Sequence, residues 1–369
     1  MDKKKPELLS LMPHELEQFI ISIGEPKYRA RQLFEQLHRG LLPEQMTNIG
    51  KVTRAKLAEA SELHMPTVRR KLVSKIDGTV KYLFELYDGN CVESVVMKYK
   101  HGNTVCVSSQ VGCRMGCAFC ASTIGGRVRN LEAGEILGQV IMAQKDTGER
   151  ISNIVMMGIG EPLDNYDNVI KFLKLVNHEY GLNIGYRHIS LSTCGLVEGI
   201  KRLKAENLPI TLSISLHAAD DETRSRIMPV NKKYNIAALL AACRDYYDTT
   251  ERRISFEYTL ISGENDTVEQ AEKLARLLNG ALRTRDGGMP IHVNLIPVNE
   301  VKERDFVRSD DNAIKAFIST LERRGIRATL RRKLGPDINA SCAHSAGSYR
   351  HSRYHRCRCC GVSDLCRYC

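Results

Sequence analysis

Cys113-Arg-Met-Gly-Cys117-Ala-Phe-Cys120 is the stretch that decides how this chain is interpreted. Its three cysteines are flanked by the small residues Gly112 and Ala121, which favour a loop. Three closely spaced thiolates match three ligands of a [4Fe–4S] cluster and leave the fourth iron open to a small molecule. A zinc site is the alternative, although no obvious fourth ligand lies close by in the sequence. The compact spacing favours the cluster.

The periodicity of the chain changes on either side of this loop. From Thr67 to Ser108 it has a period of two, interrupted by turn residues such as Asp88-Gly89-Asn90, which predicts an antiparallel meander. After Asn130, apolar strands alternate with helical patterns. The predicted strands are 153–157, 188–193, 210–216, 254–261, 291–296 and 327–330. The predicted helices are 133–145, 168–178, 199–206, 236–248, 268–278 and 313–323. Repeated βα units imply a parallel sheet with right-handed crossovers.

Six parallel strands are fewer than the eight of a closed barrel, so two α/β architectures remain open. One is an open, partial barrel, and the other is a doubly wound sheet. In both, chemistry takes place at the C-terminal ends of the strands.

The ends of the chain differ from its centre. Residues 1–65 have helical periodicity, which from Tyr28 to Leu42 places Leu33, Phe34 and Leu37 on one face. Basic residues such as Arg29 and Arg31 form either a solvated helix face or an RNA contact. Residues 343–369 are rich in Arg, His and Cys and nearly free of aliphatic residues. That tail is a zinc site, an out-of-frame or degenerate C-terminus, or a basic segment that touches RNA. We therefore predict an accessory domain (1–65), a β extension (66–105), a catalytic domain (106–342) and a tail (343–369).

Composition narrows the class of protein. The chain has 54 Lys and Arg against 43 Asp and Glu, a net charge of +11, which suggests a polyanionic partner such as nucleic acid. It starts with charged residues and has no apolar run long enough for a membrane span, which argues against secretion and membrane insertion. Its 13 cysteines are an odd number, so metal or thiol chemistry in a reducing cytoplasm is favoured over a disulfide framework.

Further motifs occur in a fixed order around the cysteine loop. They are Cys106-Val-Ser-Ser-Gln-Val-Gly-Cys113, Gly158-Ile-Gly160-Glu161-Pro162, Ser192-Thr193-Cys194-Gly195, Ser215-Leu216-His217 and Gly335-x-Asp337-Ile338-x-Ala340-x-Cys342. Together they resemble the radical S-adenosylmethionine (SAM) enzymes and, among these, the dual-specificity rRNA/tRNA adenine-C2 methyltransferases. The resemblance covers residues from about 15 to 342. It implies a partial (βα)6 radical SAM barrel with a small helical N-terminal domain and an antiparallel β extension.

The resemblance also implies a reaction. Its product is adenine methylated at C2, in 23S rRNA at the peptidyl-transferase centre and in tRNA next to the anticodon. No ordinary side-chain base removes the hydrogen from C2, so a radical route supplied by the cofactor is needed. In the family, one SAM methylates Cys342, and a second SAM on the open iron yields a 5′-deoxyadenosyl radical that takes hydrogen from that methyl group. The carbon radical adds to C2, and Cys106 then attacks the bridging sulfur, forming a transient Cys106–Cys342 disulfide and releasing the RNA.

Other site residues are carried over from the resemblance. Glu93 matches the proton acceptor, although from the residues alone a Glu in an alternating strand more often faces solvent. The residues that match the SAM pocket are Gly160, Glu161, Ser192, Ser215, Leu216, His217 and Asn299. The resemblance further implies a reduced flavodoxin- or ferredoxin-type electron donor and a monomer.

The sequence says less about the surroundings of the cysteines outside the cysteine loop. Arg331, Arg332 and Lys333 precede Cys342 and lower its thiol pKa if they face it. Core or surface thiols are expected for Cys91, Cys194 and Cys243.

One departure from the family keeps alternative functions open. After Cys342 the family usually continues Gly-Gln-Leu, whereas this chain has Ala343-His344-Ser345. A catalytically silent RNA-binding factor is therefore one alternative. The other is the related enzyme that methylates C8 of the same rRNA adenine and confers antibiotic resistance, because it shares all of these motifs.

Overall fold

Helices alternate with strands over most of the chain that the computed structural model describes, which is residues 5–283, 289–299 and 304–340. The helices are α1 (Pro13–Ser22), α2 (Tyr28–His38), α3 (Lys51–Ala60), α4 (Ala133–Thr147), α5 (Tyr166–Asn177), α6 (Val197–Glu206), α7 (Asp221–Ile227), α8 (Ile236–Thr250), α9 (Val268–Leu282) and α10 (Asp311–Arg323). The strands are β1 (Thr67–Val73), β2 (Val80–Glu85), β3 (Cys91–Tyr99), β4 (Gly102–Cys106), β5 (Gln110–Gly112), β6 (Arg127–Asn130), β7 (Ile151–Met156), β8 (Ile189–Thr193), β9 (Thr211–Ser215), β10 (Ile254–Leu260), β11 (His292–Pro297) and β12 (Arg327–Leu330). Cys342 and the predicted tail (343–369) lie outside the described residues.

Helices α1, α2 and α3 form the predicted helical N-terminal region. The apolar stripe of α2 is buried, as its spacing predicted: Leu33, Phe34 and Leu37. This helix ends at His38, earlier than the periodicity through Leu42 suggested. The reason is Gly40, whose φ of 71° turns the chain in a way that side chains rarely allow.

Ten strands form one sheet, in the order β1-β2-β3-β4-β7-β8-β9-β10-β11-β12. The antiparallel pairing of β1 to β4 confirms the predicted meander. Strand β4 is antiparallel to β3 and parallel to β7, so the parallel part has seven strands, β4 and β7 to β12, instead of the predicted six. The turn before β4 indicated only its antiparallel partner. Its parallel partner β7 lies beyond the cysteine loop and α4, where local sequence gives no signal.

The strand order decides between the two architectures that the sequence left open. Each parallel strand lies beside the parallel strand that precedes it in the chain, without a reversal. A doubly wound sheet reverses at a switch point, so that alternative is wrong here. Right-handed crossovers that all run in one direction place the connecting helices on one face of the sheet. The fold is therefore an α/β partial (βα)6 barrel, and the C-terminal ends of its strands share one rim.

Helix α7 is an element that the sequence did not reveal. It lies between β9 and α8, and its N-terminus is capped by Asp220, whose carboxylate accepts from the Thr223 N–H at 2.8 Å. With only two turns, it is too short for an apolar stripe to stand out. Among all described helices, none has the length and apolar character that a membrane crossing requires.

Candidate active site

The cysteine loop runs between β5 and β6 and is held at its base by backbone hydrogen bonds. The Cys113 N–H donates to the Gly126 carbonyl oxygen (N···O 3.1 Å). Further along the loop, the Ala118 N–H donates to the carbonyl oxygen of Ile227, the last residue of α7 (N···O 2.8 Å). The loop is therefore fixed both to its own base and to the insertion that follows β9.

The thiols of the loop lie close enough to influence one another electrostatically. Burial raises the pKa of Cys113 to about 12, and the charges of Glu161 and Cys120 add to this effect. Burial also raises the pKa of Cys117, and the thiols of Cys120 and Cys113 raise it further. Iron binding therefore has to displace protons from this loop, because the ligands of iron are thiolates.

Three thiols in one loop are a donor set that fits an iron–sulfur cluster. Within residues 5–283, 289–299 and 304–340, no three His, Cys, Asp or Glu side chains are close enough to hold one metal ion. Zinc requires its ligands at about 2.0–2.3 Å from one centre, whereas a [4Fe–4S] cluster separates its cysteines onto different irons. The zinc alternative therefore gains no support from the geometry.

Asp164 clamps the cysteine loop onto the segment that follows β7. Its carboxylate accepts from the guanidinium groups of Arg114, which lies in the loop, and Arg127, which lies in β6. The Gln110 Nε2 donates to the same carboxylate at 2.9 Å. Partial burial raises the pKa of Asp164, but the bonds from Arg114 and Gln110 outweigh it and lower the pKa below its usual value. The carboxylate therefore stays ionised and fixes the loop's position.

Glu161 is buried in the segment that follows β7, and it binds backbone groups on both sides. One carboxylate oxygen accepts from the Cys194 N–H at 2.8 Å, and the other accepts from the Leu163 N–H at 3.1 Å. Burial raises its pKa, although these bonds lower it. Each oxygen retains acceptor capacity for a ligand amino group. A Cβ on Gly160 (φ 106°) would lie 2.6 Å from Gln110 Cβ, so this glycine permits close packing on β5 as well as the predicted approach to a ligand.

The remaining predicted SAM residues lie at the rim of the barrel. They follow or end strands β8, β9 and β11: Ser192, Ser215, Leu216, His217 and Asn299. Leu216 is fully buried, its N–H donates to the Glu257 carbonyl oxygen at 3.1 Å and its carbonyl oxygen accepts from the Arg224 Nε at 3.0 Å, so its contact with a ligand stays a prediction. The structure therefore brings residues from three strands to the rim that carries the cysteine loop.

His217 connects the rim to the cysteine loop. Its Nδ1 accepts from the Thr259 N–H at 2.9 Å, which places the ring proton on Nε2. Its ring meets the Phe119 ring edge-on, with centroids 5.0 Å apart. Burial lowers the pKa of His217 to about 3, and the neighbouring Arg224 adds to this effect. The imidazole is therefore neutral at working pH and acts as a hydrogen-bond donor or a packing surface.

Arg224 is a residue of this site that sequence reasoning missed. Its side chain is fully buried in α7, and Nη2 donates to the Cys194 carbonyl oxygen at 2.8 Å while Nε donates to that of Leu216 at 3.0 Å. It therefore joins the ends of β8 and β9. In the sequence it lies among charged residues and resembles a surface arginine. Cys194, expected to be an unremarkable thiol, packs beside Cys117 of the loop, and only its place in the Ser192–Gly195 motif hinted at this.

Glu93 and Cys106 lie on one face of the sheet. Val95 of β3 pairs with Cys106 of β4 and with Lys81 of β2. Cross-strand partners share a face, and so do residues two apart in a strand, so Glu93, Lys81 and Cys106 all project on the side of Val95. Glu93 is only 5% exposed, which rules out the solvent-facing alternative. The sheet register thus brings together two residues that the resemblance placed in the reaction.

Cys106 is half-buried, and the groups around it shift the pKa of its thiol. Burial raises its pKa, the Arg331 guanidinium and the Met157 backbone lower it, and the Glu93 charge raises it. Arg331, which the sequence offered as a partner for Cys342, therefore acts on Cys106 among the described residues. Cys342 itself lies outside them, so its predicted role stays a prediction.

The segment that leads to Cys342 is docked on the turn between β1 and β2. Within this arm, defined here as residues 335–340, Asp337 accepts from the Ser74 hydroxyl at 2.7 Å and from the Lys75 N–H at 2.9 Å. In the reverse direction, the Gly335 N–H donates to Asp77 at 2.8 Å. Burial raises the pKa of Asp77, but the bonds from Gly335 and Thr79 lower it to about 2. The arm is thus held on the turn that leads into β2, which pairs with the strand that carries Glu93.

Comparisons with known proteins agree with this geometry. Residues 107–278 match the Radical SAM superfamily, and residues 6–63 match the ribosomal RNA large subunit methyltransferase N-terminal domain. The probable dual-specificity RNA methyltransferase RlmN of Clostridium novyi is 52% identical over 93% of this chain and 98% of its own length. Its counterpart in Clostridium tetani is 54% identical over 93% of this chain and 96% of its own. This chain belongs to the RlmN family of radical SAM enzymes.

A solved structure supports the RlmN-family fold. A radical SAM methyltransferase from Sphaerobacter thermophilus superimposes with a TM-score of 0.87 and is 42% identical, covering 92% of this chain and 99% of that one. The predicted family and the predicted partial barrel are both confirmed. Membership of this family implies a [4Fe–4S] cluster and SAM. The residues described above fit both: a three-thiol loop for the cluster and a rim of polar groups for SAM.

Proposed function

We propose that this protein methylates C2 of adenine in 23S rRNA and in tRNA. The observation that carries the proposal is the common face of Glu93 and Cys106, with the arm that leads to Cys342 docked beside it. The matched relatives are named dual-specificity RNA methyltransferases, which supports RNA as the substrate. The target base has to leave its stack to reach such a site, which suits loops of rRNA and tRNA.

The rim and the cysteine loop would hold the cofactors. Cys113, Cys117 and Cys120 supply the three protein ligands of the cluster, which leaves one iron for SAM. The SAM pocket is formed by Gly160, Glu161, Ser192, Ser215, Leu216, His217 and Asn299. When bound, the cluster and SAM supply the methyl group and the one-electron chemistry that C2 requires. Asp164 and Arg224 hold the loop and the strand ends in place for this chemistry.

Three side chains carry the remaining steps. Cys342 accepts a methyl group on sulfur, and once a hydrogen atom has been removed from that methyl group its carbon bonds to C2 of the adenine. Glu93 takes the proton that C2 gives up. Cys106 attacks the Cys342 sulfur, so that an S–S bond forms and the bond from sulfur to the transferred carbon breaks; that carbon keeps the electron pair and takes up a proton, which gives the product methyl group. Because burial raises the pKa of Cys106, the nearby Arg331 guanidinium assists by stabilising its thiolate.

The proposal also extends to the cellular compartment, the electron donor, the oligomeric state and the roles of the domains. Enzymes that modify rRNA and tRNA meet their substrates in the cytoplasm, where a reduced flavodoxin- or ferredoxin-type protein would donate the electron. We propose that the chain acts as a monomer, with residues 1–65 as an RNA-contacting accessory domain, 66–105 as the β extension and 106–342 as the catalytic domain.

Anaerobic turnover on purified rRNA and tRNA, with nucleoside mass spectrometry, tests the proposal. The expected product is 2-methyladenosine, and Cys342→Ala abolishes it. Cys106→Ala is expected to accumulate a covalent RNA–protein adduct, because the carrier sulfur is not released. Cys243→Ala, which alters a buried cysteine of α8, is the matched control and keeps the activity. An 8-methyl product would overturn the C2 assignment, and RNA binding without any product would point to a silent binding factor.

A further inference from the structure

Lys81 is a buried lysine that contacts both parts of the site at once. It lies in β2 and is 4% exposed. Its Nζ is 3.2 Å from the Glu93 carboxylate and donates to the Asn339 carbonyl oxygen at 3.1 Å. Lysine is almost never fully buried unless its charge is paired, so these contacts hold the ammonium in the interior. One ammonium therefore connects the proposed base to the arm that precedes Cys342.

Other lysines of the same sheet make a different kind of contact. Lys71 pairs with Asp146 and Lys98 pairs with Glu149, each at 2.6 Å, and both lysines are well exposed to solvent. Such pairs contribute little and are formed and lost easily. The Lys81–Glu93 pair, in contrast, has both side chains at 6% exposure or less, where desolvation costs much of what the attraction returns. A role in stability alone is therefore a weak account of this pair.

We propose that Lys81 is a positioning residue for the methyl-transfer reaction. It holds the Glu93 carboxylate on the face shared with Cys106, and it fixes the arm at Asn339. The base and the arm that leads to Cys342 are thus held relative to each other through one ammonium group.

This inference rests on the proposed function, because it assigns Lys81 a purpose only if Glu93 accepts the C2 proton. Once the adduct has given up its unpaired electron, which the cluster would take back, the C–H bond at C2 breaks, its electron pair restores the aromatic ring, and the proton moves to a Glu93 oxygen. The Lys81 ammonium, 3.2 Å from the carboxylate, fixes the direction in which its oxygens point. Without Lys81 the carboxylate loses that contact, and its oxygens are no longer held in the position that proton transfer from C2 requires.

The test compares Lys81→Met with Lys98→Met, the same change at an exposed pair of the same sheet. Each holoenzyme is assayed for cluster absorbance, methylation of Cys342, covalent RNA–protein adduct and 2-methyladenosine. In Lys81→Met we expect cluster absorbance and methylation of Cys342 to match the wild type, because Asp77 and Asp337 still hold the arm. The product should fall on the order of 10²-fold, as for loss of a general base, while the adduct accumulates. Lys98→Met should behave as the wild type.

Glu93→Gln separates the two hypotheses. If Glu93→Gln turns over at the wild-type rate, the proposed role of Glu93 fails, whatever Lys81 does. If Glu93→Gln is impaired and Lys81→Met is fully active, only the role of Lys81 is overturned. Loss of the cluster or of Cys342 methylation in a folded Lys81→Met protein would also overturn it, since Lys81 would then serve the site as a whole.

The double variant Lys81→Met/Glu93→Gln covers the case in which Lys81→Met does not fold. It removes both charges and so leaves no unpaired charge in the interior. Turnover equal to that of Glu93→Gln supports the proposal, because Lys81 then acts only through Glu93. A further loss of about tenfold or more, or a failure of the double variant to fold, counts against it.

Discussion

Arg224 shows how one side chain organises the rim of the barrel. Its guanidinium donates to the carbonyl oxygens of Cys194 and Leu216 and to the side-chain oxygen of Asn231, at 2.8–3.0 Å. Burial lowers the pKa of Arg224, whereas the thiols of Cys194 and Cys117 raise it. A guanidinium keeps its charge even so. The buried cation therefore lies near Cys117, one of the proposed cluster ligands, and it holds the ends of β8 and β9 together.

His38 gives the first prediction, which concerns stability and pH. Burial lowers its pKa to about 3, with His178 adding to the effect, against an ordinary value of about 6.5. Between these pH values the unfolded chain binds more protons than the folded one. The contribution of neutral His38 to the free energy of unfolding is therefore fully present above about pH 6.5 and is lost as the pH falls towards 3.

We expect His38→Leu to reduce the pH dependence of the free energy of unfolding by up to about 1.4 kcal/mol per pH unit. Denaturant midpoints of the cluster-free protein at neutral and mildly acidic pH measure it. His14→Leu, at an exposed position of α1, is the control and should leave the slope unchanged. Equal slopes for the wild type and His38→Leu would show that this histidine is not the source.

The cysteine loop provides a prediction about an element, because two of its glycines differ in their surroundings. Gly112 (φ 71°) ends β5, and a Cβ there would fall on the Gly126 carbonyl oxygen that accepts from Cys113. Gly126 has a similar φ of 65°, but a Cβ on it would meet no atom within 4 Å. Left-handed backbone costs an alanine about 1–2 kcal/mol at either position, and the clash at Gly112 adds about 1–3 kcal/mol more.

Gly112→Ala is therefore expected to lose most of its iron, since the loop can no longer close at its base. Gly126→Ala should retain its cluster with only a small loss of stability. Iron content and visible absorbance after anaerobic reconstitution measure both variants. Full iron in Gly112→Ala would mean that the base of the loop does not set the position of Cys113.

The elements themselves differ in how well their sequence predicts them. Helix α10 and strand β12 match the predicted bounds closely. Their apolar residues recur with the period of 3.6 residues typical of a helix and of 2 residues typical of a strand, which a short stretch of sequence is enough to reveal. Strand β4 was assigned only to the meander, since its parallel pairing with β7 depends on residues far along the chain. Helix α7 was missed, although it carries Arg224 and one anchor of the cysteine loop.

The net charge of +11 leads to a prediction about the molecule as a whole. If RNA is the substrate, binding releases counterions from its phosphates, and affinity falls as salt increases. We expect the affinity of Cys342→Ala for an rRNA fragment to fall by about tenfold or more between about 50 and 200 mM salt. The Cys342→Ala variant excludes covalent trapping, and filter binding or anisotropy measures the affinity. An affinity independent of salt would argue against recognition through the phosphate backbone.

Local sequence was sufficient to predict the cysteine loop, the meander, the alternation of strands and helices, and the family. These features depend on spacing and periodicity within short segments, which do not require the rest of the chain. It was not sufficient for the grouping of Lys81, Glu93, Cys106 and the arm. Lys81 and Asn339 are 258 positions apart and meet only because the arm docks on the β1–β2 turn. Which charges are buried together depends on strand register and on long-range docking, and these exist only in the folded chain.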